Sequence, residues 1–350
     1  MFEPNDHSKW QVTWKAVPHN VIADVSELLK NFYPVLRVDS VRQVNEWEQS
    51  SNNYMVLGET SEGRVVYLVR RNIAKSHEKV IHSSRIMEGL SGAGAMVPDF
   101  IINIEGEAVT SHRGLDWQVF KFIPGDHYRG EESQLAQAAR GVARLHKKME
   151  LIVDKSSLGD LSCSFGHFSV AWWKLAIEQR AQNGFEQMLH ERFSFFCNIV
   201  ERVQEKLGSV QTSDGVIHGD IHPQNFIFQG DRLAAIIDFE NIARADIIYD
   251  VATACHRLVR QHVVFSGKPW PEVLPNGISI FLREYLGENK LADEKIRMLP
   301  VFAQELLLRK MAYNYSLYKL KKRNHQVCQA QYEKFFILLS EAEAISEAMS

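Results

Sequence analysis

The stretch from residue 216 to residue 240, VIHGDIHPQNFIFQGDRLAAIIDFE, constrains this chain more than any other part of it. Two apolar runs, FIF and LAAII, flank a QGD turn, and this arrangement predicts a β-hairpin. A polar loop precedes the hairpin and the acidic tripeptide DFE follows it. The stretch therefore predicts two carboxylates, Asp220 and Asp238, and the carboxamide of Asn225 at strand ends, where a rigid scaffold presents chemical groups.

The spacing H-x-D-x-x-x-x-N, followed after a hairpin by D-F, is typical of phosphoryl transfer. In that chemistry one aspartate accepts the proton of the substrate hydroxyl, while an asparagine and a second aspartate hold Mg²⁺ against the ATP phosphates. The pattern gives the catalytic role to Asp220 and the metal to Asn225 and Asp238. The alternative is a β-hairpin with surface acids, which would require several positions to coincide.

The letters HGDIHPQN and IIDFE resemble the aminoglycoside phosphotransferase and choline kinase family of small-molecule kinases. A protein kinase normally carries Arg, Leu and Lys around the first aspartate and Gly after D-F, and this chain departs from that pattern with Gly219, Ile221, His222 and Glu240. The resemblance implies an α+β, two-lobed protein-kinase-like fold, with a small antiparallel β-rich N-lobe and a larger, mostly helical C-lobe.

The resemblance also predicts how the chain is divided. We expect an N-terminal extension and helix at residues 1–36, a nucleotide-binding N-lobe at residues 37–123, and a catalytic and substrate-binding C-lobe at residues 124–350. The extension, residues 1–17, is expected to pack loosely on the body, and apolar spacing predicts a helix at residues 20–33.

Residues 37–73 alternate between apolar runs and polar turns, which predicts three antiparallel strands. In the resemblance, the first turn lies over the ATP phosphates, and it includes Ser51, Asn52 and Asn53. Backbone N–H groups and short polar side chains can cradle phosphate without glycine. A plain hairpin turn is the alternative.

The third strand, YLVRR, puts Arg70 where the family has a cation that pairs with the α- and β-phosphates. Arg71, on the opposite face, is expected to be solvated. In relatives a glutamate on the next helix, predicted at residues 76–90, pairs with the strand cation, but Ser83 occupies that position here. Arg70 must therefore be oriented by the phosphates, by another acid, or by both.

The segment WQVFKFIPGDHY resembles the hinge of the family. Its main chain, near Gln118, Val119 and Phe120, is expected to meet the adenine edge. A buried edge strand is the alternative, and both interpretations can hold together. Another strand is expected near residues 100–104.

Helical spacing predicts a core helix at residues 133–149, where His146 is expected to be packed rather than catalytic. An aromatic-rich stretch at residues 169–207 predicts further helices, which form core or line an acceptor pocket. The segment between Asp238 and Asp250 is too short for the activation segment of a protein kinase, so we predict a small, enclosed acceptor. Asp250 is expected to brace the catalytic loop by hydrogen bonding.

Charge and composition exclude several classes of function. The net charge of −3 carries no block of like charge that would indicate nucleic-acid binding. The sequence starts without an apolar signal core and contains no run of 18 apolar residues, so we predict no membrane partner. The cysteines show no C-x-x-C pair, which favours reduced thiols in a cytoplasmic protein; they are Cys163, Cys197, Cys255 and Cys328.

We therefore predict an ATP- and Mg²⁺-dependent kinase that moves the γ-phosphoryl group to a hydroxyl of a small-molecule acceptor of aminoglycoside, choline or ethanolamine, homoserine or sugar type. The alternatives are a catalytically weak or inactive nucleotide-binding interaction module, suggested by Ser83, and a protein kinase. The oligomeric state stays open. A cationic acceptor would require acidic or aromatic groups around its pocket; the candidates are Glu178, Glu186, Glu240, Trp172 and Trp173.

Overall fold

The computed structural model of the chain describes residues 13–44, 51–73, 75–158, 174, 178, 180–208 and 210–349. Within these ranges an antiparallel sheet occupies the N-terminal third, and helices make up most of the rest. None of the helices in the described part of the chain is long and apolar enough to cross a membrane.

The N-terminal sheet has six strands in the order β1-β2-β3-β4-β6-β5, and every neighbouring pair is antiparallel. The strands are β1 (Trp14–Ala16), β2 (Arg37–Val44), β3 (Ser51–Thr60), β4 (Gly63–Asn72), β5 (Val109–His112) and β6 (Leu115–Lys121). Helix α1 (His19–Phe32) buries an apolar stripe against the sheet, and α2 (His77–Gly92) follows β4. The three strands predicted between residues 37 and 73 are therefore confirmed.

Two N-terminal predictions differ from the structure. Trp14–Ala16, expected in a loosely packed extension, is a strand that pairs with β2, and the Trp14 ring lies 6.1 Å from that of Phe122. Main-chain pairing thus joins this segment to the sheet. The strand expected at residues 100–104 is reduced to one bridge between Phe100 and Phe120, and β5 forms later in the chain.

The remainder of the chain carries small sheets between long helices. Its elements are β7 (Asp126–His127), α3 (Glu132–Ile152), α4 (Gly184–Leu207), β8 (Val216–Ile217), β9 (Phe226–Gln229), β10 (Arg232–Ile236), β11 (Ala243–Arg244), α5 (Ile248–Ser266), α6 (Trp270–Glu288), α7 (Asp293–Arg297), α8 (Leu299–Lys319) and α9 (His325–Ala348). The core helix and hairpin predicted from spacing are both present.

Packing in the helical part fixes the loop between β8 and β9. The apolar face of α3 packs against α5, α6 and β10 in the largest hydrophobic cluster, and α4, α8 and α9 form a second cluster. Helix α5 also contacts the short turn Pro223–Asn225 inside the loop. The loop therefore rests on a buried helix rather than on solvent.

Candidate active site

The loop at residues 218–225 is anchored from below by Asp250, which lies in the first turn of α5 and is fully buried. Its two carboxylate oxygens accept hydrogen bonds from the main-chain N–H groups of His218, at 2.6 Å, and Gly219, at 2.9 Å. The predicted bracing role of Asp250 is confirmed. Gly219 has φ +80°, and a Cβ there would lie 2.3 Å from the carbonyl oxygen of Asn241, so only glycine fits.

Two buried histidines extend this support. The Nε2–H of His218 donates to the Ile237 carbonyl at 3.0 Å, and its Nδ1 accepts from the main-chain N–H of Asp220 at 3.3 Å. Burial lowers the pKa of His218, which agrees with a neutral ring that donates once and accepts once. His146 contacts Asp250 at 3.2 Å, so it is packed as predicted and steadies the brace.

Asp220 projects from this loop and meets a lysine that the sequence did not indicate. The Lys310 ammonium, on α8, lies 2.6 Å from Asp220 Oδ1, and His222 Nε2 lies 3.7 Å from Oδ2. Burial alone would raise the pKa of Asp220, but the charge of Lys310 and then His222 outweigh it and hold the pKa well below its usual range. Asp220 is therefore a carboxylate throughout the neutral pH range.

Asn225 and Asp238 lie where a metal ion could be held. The Nδ2 of the buried Asn225 donates to the main-chain oxygen of Asp220 at 2.8 Å, which leaves its carboxamide oxygen to serve a metal. Asp238 has φ +74°, an uncommon conformation for a residue other than glycine. Its Oδ1 is buried and has no hydrogen-bond partner among the described residues.

The charge state of Asp238 supports the same conclusion. Burial and the nearby Glu240 carboxylate raise the pKa of Asp238 to about 7, against the opposing effect of Arg70. A buried carboxylate oxygen without a hydrogen bond and a carboxamide oxygen from the same motif form a donor set that suits a hard divalent cation. The residues predicted to hold the metal therefore fit one.

Arg70 is held by acids from the motif itself. Its Nε donates to Asn53 Oδ1 at 3.0 Å, and one terminal nitrogen lies 3.5 Å from Glu240 Oε1 and 3.6 Å from Asp238 Oδ1. The guanidinium also lies 5.8 Å from the centroid of the Phe120 ring. Another acid, Glu240, thus orients Arg70. The residue that replaces the usual glutamate, Ser83, donates instead to the Val80 carbonyl within α2.

Lys75 is a second cation at this place, and sequence reasoning missed it. It forms an ion pair with Glu240, and its side chain is only 16% exposed. Burial lowers the pKa of Lys75, although the Glu240 carboxylate opposes that effect. Glu240 therefore holds Lys75 and Arg70 on one side of the loop. The only sequence signal for Lys75 was its position shortly after the strand that carries Arg70.

The phosphate turn predicted from polar residues is not a turn where the structure describes it. Ser51, Asn52 and Asn53 lie in β3, in register with β4, and residues 45–50 are outside the described part of the chain. Asn52 accepts from Gln43 Nε2 at 3.1 Å. Strand pairing takes up these residues, and Asn53 contacts the site through Arg70.

The main chain at Gln118 and Phe120 is also engaged by the sheet. Gln118 is in register with β4 on one side and β5 on the other, so β6 is not an edge strand. The Gln118 side chain donates to Ser84 Oγ at 2.7 Å in the interior. The main-chain groups at Gln118, predicted to meet the adenine edge, are therefore used in strand pairing. The first segment outside the sheet follows the end of β6.

Two further expectations are corrected. Arg71 is not simply solvated, because its guanidinium lies 5.5 Å from the Trp117 ring centroid on the other face of the sheet. Among the acidic candidates for a cationic acceptor, Glu240 pairs with Arg70 and Lys75, and Glu186 accepts from Gln182 and Tyr318, so these carboxylates already have partners within the protein. Trp172 and Trp173 lie outside the described residues.

Comparison with known proteins agrees with this geometry. A family model described as "Phosphotransferase enzyme family" matches residues 41–276. A homoserine kinase of Rhodopseudomonas palustris (strain BisB18) is 27% identical over 294 residues, which cover 82% of this chain and 81% of the relative. A homoserine kinase of Bradyrhizobium diazoefficiens is 23% identical, with 84% of each chain covered.

Solved structures show the same fold at low identity. A spectinomycin phosphotransferase in complex with ADP and spectinomycin gives a TM-score of 0.65 at 15% identity, covering 93% of this chain and 98% of its own. A microcompartment-associated aminopropanol kinase gives 0.60 at 17% identity, covering 93% and 95%. The predicted kinase-like fold is confirmed. Because the family model covers more than half of the chain, the chain belongs to the phosphotransferase enzyme family, as a small-molecule kinase.

Proposed function

We propose that this chain transfers the γ-phosphoryl group of ATP to the hydroxyl of a small-molecule acceptor, with Asp220 orienting that hydroxyl and accepting its proton. The observation that carries the proposal is that Asp220, Asn225, Asp238 and Arg70 lie in one connected set. Asn225 donates to the Asp220 main chain, its main-chain carbonyl accepts at 2.9 Å from the N–H of Ile237, the residue before Asp238, and Arg70 lies beside Asp238. Such a set can position both the nucleotide and the acceptor.

The low pKa of Asp220 suits it to positioning. A carboxylate paired with Lys310 is a weak base, but proton transfer follows bond cleavage late in a loose transition state. The main task of Asp220 is therefore to hold the acceptor hydroxyl in line, and the rigid loop beneath it keeps that direction fixed.

Asn225 and Asp238 would hold Mg²⁺, and their oxygen donors support that choice. The metal, when bound, supplies positive charge to the β- and γ-phosphate oxygens. One structural relative is an amicoumacin kinase in complex with AMP-PNP and Ca²⁺, with a TM-score of 0.62 at 16% identity, covering 95% of this chain and 94% of its own, which supports a nucleotide with a divalent cation in this fold.

Arg70 and Lys75 would contact the phosphates. Both are cations with little solvent exposure, and both pair with Glu240. The Glu240 carboxylate would orient both side chains before ATP arrives, and phosphate oxygens would then replace it as their partner. We place the adenine against the segment after β6, where Gly125, with φ +151°, packs too closely on β9 to carry a side chain.

We also propose the division into lobes at residues 37–123 and 124–350, with this segment as the connection. A cytoplasmic location is proposed as well, since the reaction requires ATP and the cysteines in the described part of the chain are free thiols.

The test is a phosphorylation screen with the purified chain and Mg²⁺-ATP. The panel contains aminoglycosides, choline, ethanolamine, aminopropanol, amino sugars and homoserine, with product detected by mass spectrometry. Homoserine comes first because homoserine kinases align over more than four fifths of both chains. Asp220→Asn should keep the melting temperature and ATP affinity and lose most turnover. ATP binding without turnover of any acceptor would favour a nucleotide-binding interaction module instead.

A further inference from the structure

The acceptor side of Asp220 is surrounded by positive charge. Lys310 on α8 pairs directly with Asp220, and α5, which packs against the catalytic loop, carries Arg257 and Arg260. The exposed Lys334 on α9 and the charge of Arg257 both act on the His222 ring. This is the opposite of the acidic surroundings that a polycationic acceptor would require.

Two of these four cations, Lys310 and Arg260, are matched by an acid. Lys310 lies 2.6 Å from Asp220, and Arg260 lies 2.6 Å from Glu341, which is fully buried on α9 and also faces His256 at 3.7 Å. The two acids of this region are therefore each paired with a nearby cation. Arg257 has no acid within 4 Å among the described residues.

Arg257 is left in an unfavourable position. It is half-buried, and its Nε is buried without a hydrogen-bond partner in the described part of the chain. Burial, and then the charge of Arg260, lower the pKa of Arg257 to about 10, with Glu341 and Asp220 opposing. A desolvated cation with an unpartnered donor is costly, and an anion placed beside it would remove that cost.

His222 lies beside Asp220, and the charge of Arg257 acts on its ring. Its Nε2 lies 3.7 Å from Asp220 Oδ2, and its Nδ1 is buried without a partner among the described residues. Burial lowers the pKa of His222 to about 3; Asp220 opposes this effect, and the charges of Arg257, Lys310 and Lys334 add to it. The ring is therefore neutral and can hydrogen-bond an acceptor without repelling a negative group.

We infer that the acceptor carries a carboxylate close to its reacting hydroxyl, and that Arg257 binds this carboxylate while Asp220 holds the hydroxyl. This inference rests on the proposed function and names the acceptor class. The planar guanidinium matches the paired oxygens of a carboxylate and of a phosphate alike, so charge decides between them. The single charge of a carboxylate repels Asp220 and the incoming γ-phosphoryl group less than a doubly charged phosphate would.

The first test compares matched acceptors on the wild-type chain. Each hydroxy acid is assayed beside its carboxamide, which keeps the size and the hydroxyl but removes the charge; homoserine and 4-hydroxybutyrate provide two such pairs. We expect kcat/KM for each acid to exceed that of its amide by about tenfold or more, as for a charge-assisted hydrogen bond. An amide that is phosphorylated as well as its acid would overturn the inference and leave the proposed function intact.

The second test assigns the effect to Arg257. Arg257→Gln should reduce kcat/KM for the acid to near that of the amide in the same variant. Arg257→Lys should keep part of the preference. The control for losing an arginine charge is Arg283→Gln. Arg283 lies on α6, is 65% exposed and pairs with its neighbour Glu284. A preference for the acid that survives Arg257→Gln in a normally folded variant would refute the role of Arg257.

A binding measurement separates this inference from the proposed function. The chain is saturated with Mg²⁺ and AMP-PNP, and its melting temperature is measured with 4-hydroxybutyrate or its amide. We expect the acid to raise the melting temperature of the wild-type chain more than the amide does. In Arg257→Gln this difference between acid and amide should disappear. Equal effects of acid and amide on the wild type refute the carboxylate site, whereas binding of the acid without turnover of any acceptor refutes only the kinase activity.

Discussion

Replacing Lys310 with methionine tests whether the ion pair with Asp220 sets the charge of the catalytic carboxylate. The Lys310 and Asp220 side chains are 20% and 23% exposed, and their charged atoms lie 2.6 Å apart. Because both groups are mostly shielded from water, the pair keeps the strength of a charge-assisted hydrogen bond, about 1.5–3 kcal/mol. At 1.36 kcal/mol per unit, its loss raises the pKa of Asp220 by about one to two units.

The sign of the pH effect follows from the direction of the shift. The folded-state pKa of Asp220 is depressed, so its carboxylate persists above the unfolded value and is lost only as the pH falls through the low folded value. Without Lys310, burial is the dominant influence, and the carboxylate is lost at higher pH. The acid limb of the pH profile of kcat should therefore move upward by about one to two units.

The assay is a 13C NMR titration of the Asp220 carboxyl together with ADP release with the best acceptor of the panel, both measured from pH 2 to pH 8, because the acid limb lies below the usual pKa of an aspartate. Lys310→Arg keeps the charge and should move the acid limb little. Lys290→Met, at an exposed lysine in the loop after α6, is the control for losing a surface charge. Coinciding acid limbs for the wild type and Lys310→Met would show that Lys310 does not control Asp220.

Three further predictions test other parts of the site. Arg70→Lys keeps the charge but loses the planar fork, so ATP affinity should fall by about 1–2 kcal/mol in a calorimetric titration. Arg71→Lys should leave ATP affinity unchanged and cost about 0.5–1 kcal/mol of stability through its lost aromatic contact. Equal effects of the two variants on ATP affinity would contradict the assignment. Asp238→Ala should weaken nucleotide binding with Mg²⁺ and leave metal-free binding nearly unchanged, and identical titrations of wild type and variant in Mg²⁺ would exclude it as a metal ligand. Gly219→Ala should destabilise the fold by about 1–3 kcal/mol more than Gly230→Ala, because both have positive φ but only the former meets a main-chain oxygen; chemical denaturation compares the two.

The sequence by itself determined the local chemistry of the site. The spacing of Asp220, Asn225 and Asp238 predicted one site, since a loop and a short hairpin allow few geometries, and the structure brings the three together. Their roles remain predictions until the variants are measured. Helices such as α3 were predictable because apolar residues at a period of 3.6 must share a face.

Predictions that depended on strand partners were less reliable. Polar residues at 51–53 suggested a turn, but pairing with β4 extends them as a strand. Arg71 was expected in solvent because alternation gives only the face, and the Trp117 ring that covers it comes from β6. Trp14–Ala16 became a strand for the same reason, since β2 supplies the main-chain partner. Strand partners distant in sequence leave no periodic signal in the segment itself.

Only the tertiary structure decided the electrostatics of the site. Lys310 reaches Asp220 from a helix 90 residues later in the chain, and Glu240 replaces the acid that Ser83 cannot provide. Arg257 lies on α5 and was not singled out from the sequence. Charge interactions act through space and depend on burial, so a single sequence does not show which of its lysines, arginines and glutamates converge. The packing of α5, α8 and α9 around the catalytic loop determines which charges meet.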